Sequence, residues 1–141
     1  METVRRSRSA VRRSCGRTVF VAGYSVFQAL QAADTLAEKG IQAEVLDLYS
    51  VKPVDAAAVL ESVRKTGALL VAENHQKRNG LGYDMAALLL KEEPVPFDHL
   101  GLDDRFAESG NCFKMIDKYG FSAAKIADAA ERLLAKARAR H

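Results

Sequence analysis

Three groups of residues have the types and spacing to do chemistry. Glu73 and His75 stand two apart where the apolar run Leu69-Leu70-Val71-Ala72 breaks into polar sequence. Two apart on a strand, they point to one face, and the histidine titrates near neutrality, so it could carry a proton or meet an anion. The same pair also fits a hydrogen-bonded loop that only fixes the strand end. No third ligand at a recognisable spacing joins them, so a metal site is not indicated. Gly80 and Gly82 follow, opening a helical pattern. They could present backbone N–H groups to a phosphate, but no GxGxxG or Walker lysine accompanies them. Close helix–strand packing and a tight entry are the simpler explanation. The third group, Asp103, Arg105, Glu108 and Ser109, is the richest polar cluster. Its arginine suits bidentate contact with a carboxylate or phosphate, as at an interface, while its Asp and Ser could equally cap the next helix.

These groups need a scaffold, and the pattern supplies one. Residues 18–22 are a β-branched and aromatic run, a predicted first strand ended by Gly23. Ser25 with Gln28 resembles a capping box, starting a helix at Val26 that Lys39-Gly40 closes. A strand is predicted over 44–49, then a helix carrying Val59, Leu60 and Val63 that Gly67 ends. The run to Glu73 is a third strand, 81–91 a helix and 97–101 a short strand containing His99. Residues 102–111 form a polar loop, 112–118 a short helix, and Ser122 can cap the last helix with its stripe of Ile126, Ala129, Ala130, Leu133 and Leu134. Strand and helix alternate four times without a hairpin signal, which predicts a three-layer α/β domain on a mainly parallel sheet. Ligands and partners of such sheets meet the carboxyl edge of the strands, where all three polar groups fall.

Composition narrows the classes. At 141 residues, 48% hydrophobic and 28% charged, the chain has room for one globular domain. No apolar run approaches the roughly 18 residues of a membrane span. Cys15 and Cys112 are far apart without CxxC spacing, which points away from a disulfide framework and towards a reducing, cytoplasmic setting. The net charge of +3 is unevenly placed. Six of the 21 basic residues (Arg5, Arg6, Arg8, Arg12, Arg13, Arg17) and one of the 18 acidic ones lie in residues 1–17, so the rest of the chain is two charges negative. The Arg-rich stretch reads as a disordered leader ahead of a domain over 18–141, with a transit peptide or a basic arm as alternatives. Without aromatic interleaving or a second basic patch, nucleic-acid binding is not expected.

Several pieces of the chain run in a recognisable order: Gly23-Tyr24-Ser25 with Gln28-Ala29-Leu30, Ala32-Ala33-Asp34-Thr35-Leu36, and Val45-Leu46-Asp47-Leu48-Tyr49-Ser50-Val51-Lys52-Pro53-Val54-Asp55. Glu73-Asn74-His75 with Gly80-Leu81-Gly82, Asp104-Arg105-Phe106-Ala107-Glu108-Ser109-Gly110, and Lys118-Tyr119-Gly120-Phe121-Ser122 complete the set. With these pieces the chain, over most of its length, resembles the C-terminal domain of transketolase and related thiamine-diphosphate enzymes, especially the C-terminal subunits of split transketolases. Asn79 stands where the family's Gly-Gly-Leu-Gly has its first glycine.

The resemblance implies a Rossmann-like sheet of about five strands with one antiparallel edge strand. It also implies a role without catalytic residues: dimer or subunit contacts and the outer active-site region for ketol transfer between sugar phosphates. Thiamine diphosphate and Mg2+ would belong to the complete enzyme and not to this chain alone. Its partner would be a second copy or a thiamine-diphosphate-binding chain, with no nucleic acid and no membrane. Glu73, His75, Gly80, Gly82, Asp103, Arg105, Glu108 and Ser109 are then interface or active-site-edge candidates. Two other functions compete: a stand-alone module binding a small anion or nucleotide in a pocket bounded by Tyr24, His75 and Arg105, and a self-contained enzyme using Glu73 and His75.

Overall fold

Residue-by-residue alternation along one strand sets the architecture. In a computed structural model of the chain, which describes residues 9–10, 19–21 and 25–139, that strand is β4 (Leu69–Gln76). Its Leu70 and Ala72 pack on one side with Ala29, Ala32 and Leu36 of α1 (Ser25–Glu38) and Ile126, Ala130 and Leu133 of α5 (Ala123–Arg138). Leu69 and Val71 pack on the other side with Val59 and Val63 of α2 (Ala56–Thr66) and Leu81, Met85 and Leu89 of α3 (Leu81–Glu92). A strand buried on both faces must read as a continuous apolar run, which this one does. The result is helices α1 and α5, a sheet, and helices α2 and α3.

Among the described residues the sheet has five strands: β1 (Ser9–Ala10), β2 (Val19–Val21), β3 (Glu44–Leu46), β4 and β5 (Phe97–Leu102), in spatial order β1-β3-β2-β4-β5. β2 pairs parallel with β3 and β4, and β4 pairs parallel with β5. β1 is the antiparallel edge, with Ser9 opposite Leu46 and Ala10 opposite Val45. This strand lies inside the stretch expected to be a disordered leader, whose remaining residues, 1–8 and 11–17, are outside the described ones.

Element ends depart from sequence expectation in instructive ways. The capping box expected from Ser25 and Gln28 is absent: Ser25 Oγ is buried with no hydrogen-bond partner among the described residues. Gln28 Oε1 instead accepts the Ala123 N–H at 2.9 Å, joining α1 to the start of α5. Ser122 occupies the N-cap position of α5, but its hydroxyl donates to Asp117 at 2.8 Å. Asn111 caps α4 (Cys112–Lys118), its Oδ1 accepting from Phe113 and Lys114, so neither Asp103 nor Ser109 is the cap. Strand β3 stops at Leu46, short of the expected Tyr49, and β4 continues to Gln76, past the expected Glu73. No helix among the described residues is long and apolar enough to cross a membrane.

Candidate functional site

Strand β4 delivers Glu73 to the start of α3, and the next eight residues fold back over it. Its side chain continues the parity of Leu69 and Val71, towards α3, and is 9% exposed. A carboxylate buried there must be satisfied, and four groups converge on it. The Leu81 N–H donates to Oε2 at 2.9 Å and the Gly82 N–H to Oε1 at 3.0 Å. His99 Nε2, from β5, lies 2.6 Å from Oε1. Gly80 lies against the carboxylate on the remaining side, where an added Cβ would approach the Gln76 carbonyl at 2.5 Å. Glu73 is therefore the anion at this helix N-terminus, where backbone donors and the helix dipole favour negative charge.

Burial opposes the ionisation of Glu73, but the His99 hydrogen bond and the Gly82 and Leu81 amides outweigh it and hold its carboxyl below the ordinary value of 4.5. The ionised carboxylate only accepts, so Nε2 carries the proton in this contact. A carboxyl that binds fewer protons folded than unfolded contributes stability fully above its unfolded value and loses it as pH falls through the folded one. Urea midpoints followed downward from about pH 7 should hold to about pH 4.5 and then fall, more steeply than in Glu73→Gln, whose residue 73 does not titrate. Parallel falls in the two proteins would show that Glu73 is not a proton-linked group.

His99 is the member that sequence reasoning missed, because it falls inside a predicted strand and not at a strand end. Its signal lies in the pairing of the strands. His99 stands opposite Val71 in the parallel register, one same-face step before Glu73. Its ring is 9% exposed, lies edge-on to Tyr83 and tilted to Phe97, and fills the space beside Gly82 so closely that a Cβ there would come within 2.3–2.4 Å of three ring atoms.

Glu73 and His75 do not act together. The β4–β5 ladder is irregular between Ala72 and Gln76, which breaks the two-residue repeat that would have put both on one face. His75 is exposed, with Nδ1 3.0 Å from the Gln76 carbonyl. Tyr24, the third wall of the expected anion pocket, lies outside the described residues.

The polar loop after β5 is pinned at both ends. Lys77 Nζ meets Asp103 at 2.6 Å and Gln76 Nε2 donates to the Arg105 carbonyl at 2.8 Å, tying the loop to β4. Lys118 Nζ meets Glu108 at 2.6 Å and the Glu108 N–H donates to Tyr119 Oη at 2.8 Å, tying it to α4. The lysine partners, above all through these hydrogen bonds, hold the carboxyls of Asp103 and Glu108 below their ordinary values. Both pairs are solvent-facing and contribute little to stability. The Arg105 guanidinium lies over the Tyr119 ring, 5.2 Å from its centroid. Ser109 is exposed.

The described residues do not fit a diphosphate with its metal. No group of three or more His, Cys, Asp or Glu among them could hold a metal ion. The two α3 amides that a phosphate would seek are satisfied by Glu73, and the adjoining space is filled by His99.

Residues 9–126 match the family described as transketolase, C-terminal domain. The chain is 42% identical over 116 residues to the 6-deoxy-6-sulfo-D-fructose transketolase subunit SqwH of Clostridium sp. (strain MSTE9), covering 82% of this chain and 36% of that one. It is 37% identical over 119 residues to an apulose-4-phosphate transketolase subunit of Phocaeicola vulgatus, covering 84% and 38%. A solved structure described as a split gene transketolase, inactive beta4 tetramer, superposes with a TM-score of 0.84 at 36% identity, covering 91% of this chain and 42% of that one. The chain thus spans well under half the length of the relatives it matches.

Proposed function

Because the chain belongs to the transketolase C-terminal domain family, we propose that it works as the C-terminal module of a split transketolase-like transferase and carries no catalytic group itself. Ketol transfer between sugar phosphates, with thiamine diphosphate and Mg2+, is assigned to other domains of the complete enzyme. The module supplies a rigid surface at the carboxyl edge of its sheet. His75, Asp103, Arg105, Glu108 and Ser109 are the exposed residues of that surface, while Glu73, Gly80 and Gly82 fix the strand–helix junction beneath it.

The observation that carries this proposal is the self-filled N-terminus of α3. In an open α/β sheet this is a place for a ligand's charge. Here the chain's own carboxylate accepts both amides and the His99 N–H, so the polar chemistry of the strand end is spent on structure. A small anion would have to displace Glu73, which disfavours a stand-alone anion-binding module. His75 meets the Gln76 carbonyl and no carboxylate among the described residues, which disfavours a self-contained enzyme. The names of SqwH and of the apulose-4-phosphate relative, each a transketolase subunit, agree with a part that works within an assembly.

Native affinity purification of the tagged full-length chain from its host tests the proposal. Mass spectrometry should identify a co-purifying protein that carries diphosphate- and pyrimidine-binding domains. Recovery of the chain without any such protein, from cells that express one, would sink it.

A further inference from the structure

We propose that the N-terminus of α1 binds a single phosphate group, free or carried by a sugar, with Ser25 as its side-chain ligand. The site goes beyond the module role and is judged apart from it. Ser25 is the first residue of α1 and is 2% exposed, yet its hydroxyl has no hydrogen-bond partner among the described residues. A buried hydroxyl left unpaired is costly, so it favours any ligand that can pair with it. Hydroxyls further along the helices solve this locally. Thr35 donates to the Gln31 carbonyl and Thr66 to the Ser62 carbonyl, each one turn back. Ser25 heads its helix and has no helical carbonyl behind it. It extends the buried stripe of Ala29, Ala32 and Leu36, which packs with Leu70 and Ala72, by one turn towards the carboxyl edge of the sheet.

Topology and charge select the ligand. The neighbouring strands β2 and β4 send their chains in opposite directions, α1 leading from β2 to β3 and α3 from β4 to β5. The crevice above their carboxyl ends is the topological switch point, where open α/β sheets take ligands. Of the two helices that start there, α3 has its first amides filled by Glu73. α1 has no acid in its first turn, and Gln28 reaches away from it to the Ala123 N–H. That bond sets the start of α5 beside the start of α1. α5 also has no acid in its first turn and no side-chain cap, because the Ser122 hydroxyl donates to Asp117. Helices of 14 and 16 residues thus bring their positive poles together without a first-turn carboxylate at either. Such a field favours an anion. First-turn amides only donate, and the Ser25 hydroxyl can donate with them, so a compact group of several acceptor oxygens fits and a cation does not.

Calorimetric titration of the full-length chain with inorganic phosphate, in phosphate-free buffer, tests this. Binding should saturate at one phosphate per chain and weaken about tenfold in Ser25→Ala, which loses one hydrogen bond to a charged group. That variant strands no partner, so its thermal midpoint without phosphate should match the wild type. Ser25→Asp, whose carboxylate takes the pole as Glu73 does at α3, should abolish binding. Ser62→Ala removes another buried, unpaired hydroxyl, inside α2, and should bind as the wild type does. Backbone amide NMR shifts should follow phosphate at Val26 and Phe27 and not at Leu81 and Gly82. A second titration with fructose 6-phosphate separates the sources. Tighter binding than inorganic phosphate, with the same dependence on Ser25, assigns a sugar phosphate, and equal or weaker binding assigns the free ion. No saturable binding of either, equal affinity in Ser25→Ala, or shifts centred on α3 overturns the proposal. Co-purification with a chain bearing the diphosphate and pyrimidine domains still judges the module role separately.

Discussion

Glu73→Ala should lower the free energy of unfolding by about 3–5 kcal/mol, the cost of breaking a buried charged pair by removing one partner. Two losses combine. The Leu81 and Gly82 amides at the start of α3 lose their acceptor, and the His99 Nε2–H is stranded in a site only 9% exposed. Glu73→Gln separates these effects. Its amide oxygen can still accept from the helix terminus, and His99 can adopt the other tautomer towards its NH2 group. The smaller cost expected there, about 1–2 kcal/mol, is that of a weakened hydrogen-bond set in which one backbone N–H, that of Gly82, loses its acceptor while His99 keeps a partner. Urea denaturation of the three proteins measures both numbers. Equal losses for alanine and glutamine would mean that negative charge, not the acceptor geometry, holds α3 in place.

Gly82→Ala should cost about 3 kcal/mol, although alanine is ordinarily the better helix former by about 0.5–1 kcal/mol. The reversal comes from one neighbour. A Cβ at position 82 would clash with the His99 ring at 2.3–2.4 Å, and the ring cannot withdraw without leaving Glu73. The decisive comparison is therefore on a His99→Ala background, where the ring is gone. There the cost of Gly82→Ala should fall below about 1 kcal/mol or change sign, a coupling expected only of residues in contact. If Gly82→Ala costs the same with and without His99, the glycine is required for its backbone and not for the approach of the ring.

How much of this was legible in the sequence divides by range. The four longer strands and the helices between them are written in local periodicity, as Leu69-Leu70-Val71-Ala72 shows, because each side of that strand must bury its own face. The glycines at 80 and 82 signal close packing, but not what packs there. His99 is hidden because its partner is 26 residues away in sequence, and only the β4–β5 register brings them together. Gln28 reads locally as a capping residue and serves a helix 95 residues on, since a side chain takes whichever amide the tertiary fold presents. β1 is two residues long and has no period to read; pairing with β3 alone defines it. An even spacing draws His75 to Glu73 on paper, and the irregular ladder breaks it.

The central claim, that this chain is a structural part of a transferase and not its engine, is tested most directly by turnover. The purified full-length chain, given thiamine diphosphate, Mg2+, a ketose phosphate donor and an aldose phosphate acceptor, should form no transfer product. Adding a chain that bears the diphosphate- and pyrimidine-binding domains should start the reaction. Product from this chain unaided, abolished by His75→Ala, would contradict the claim.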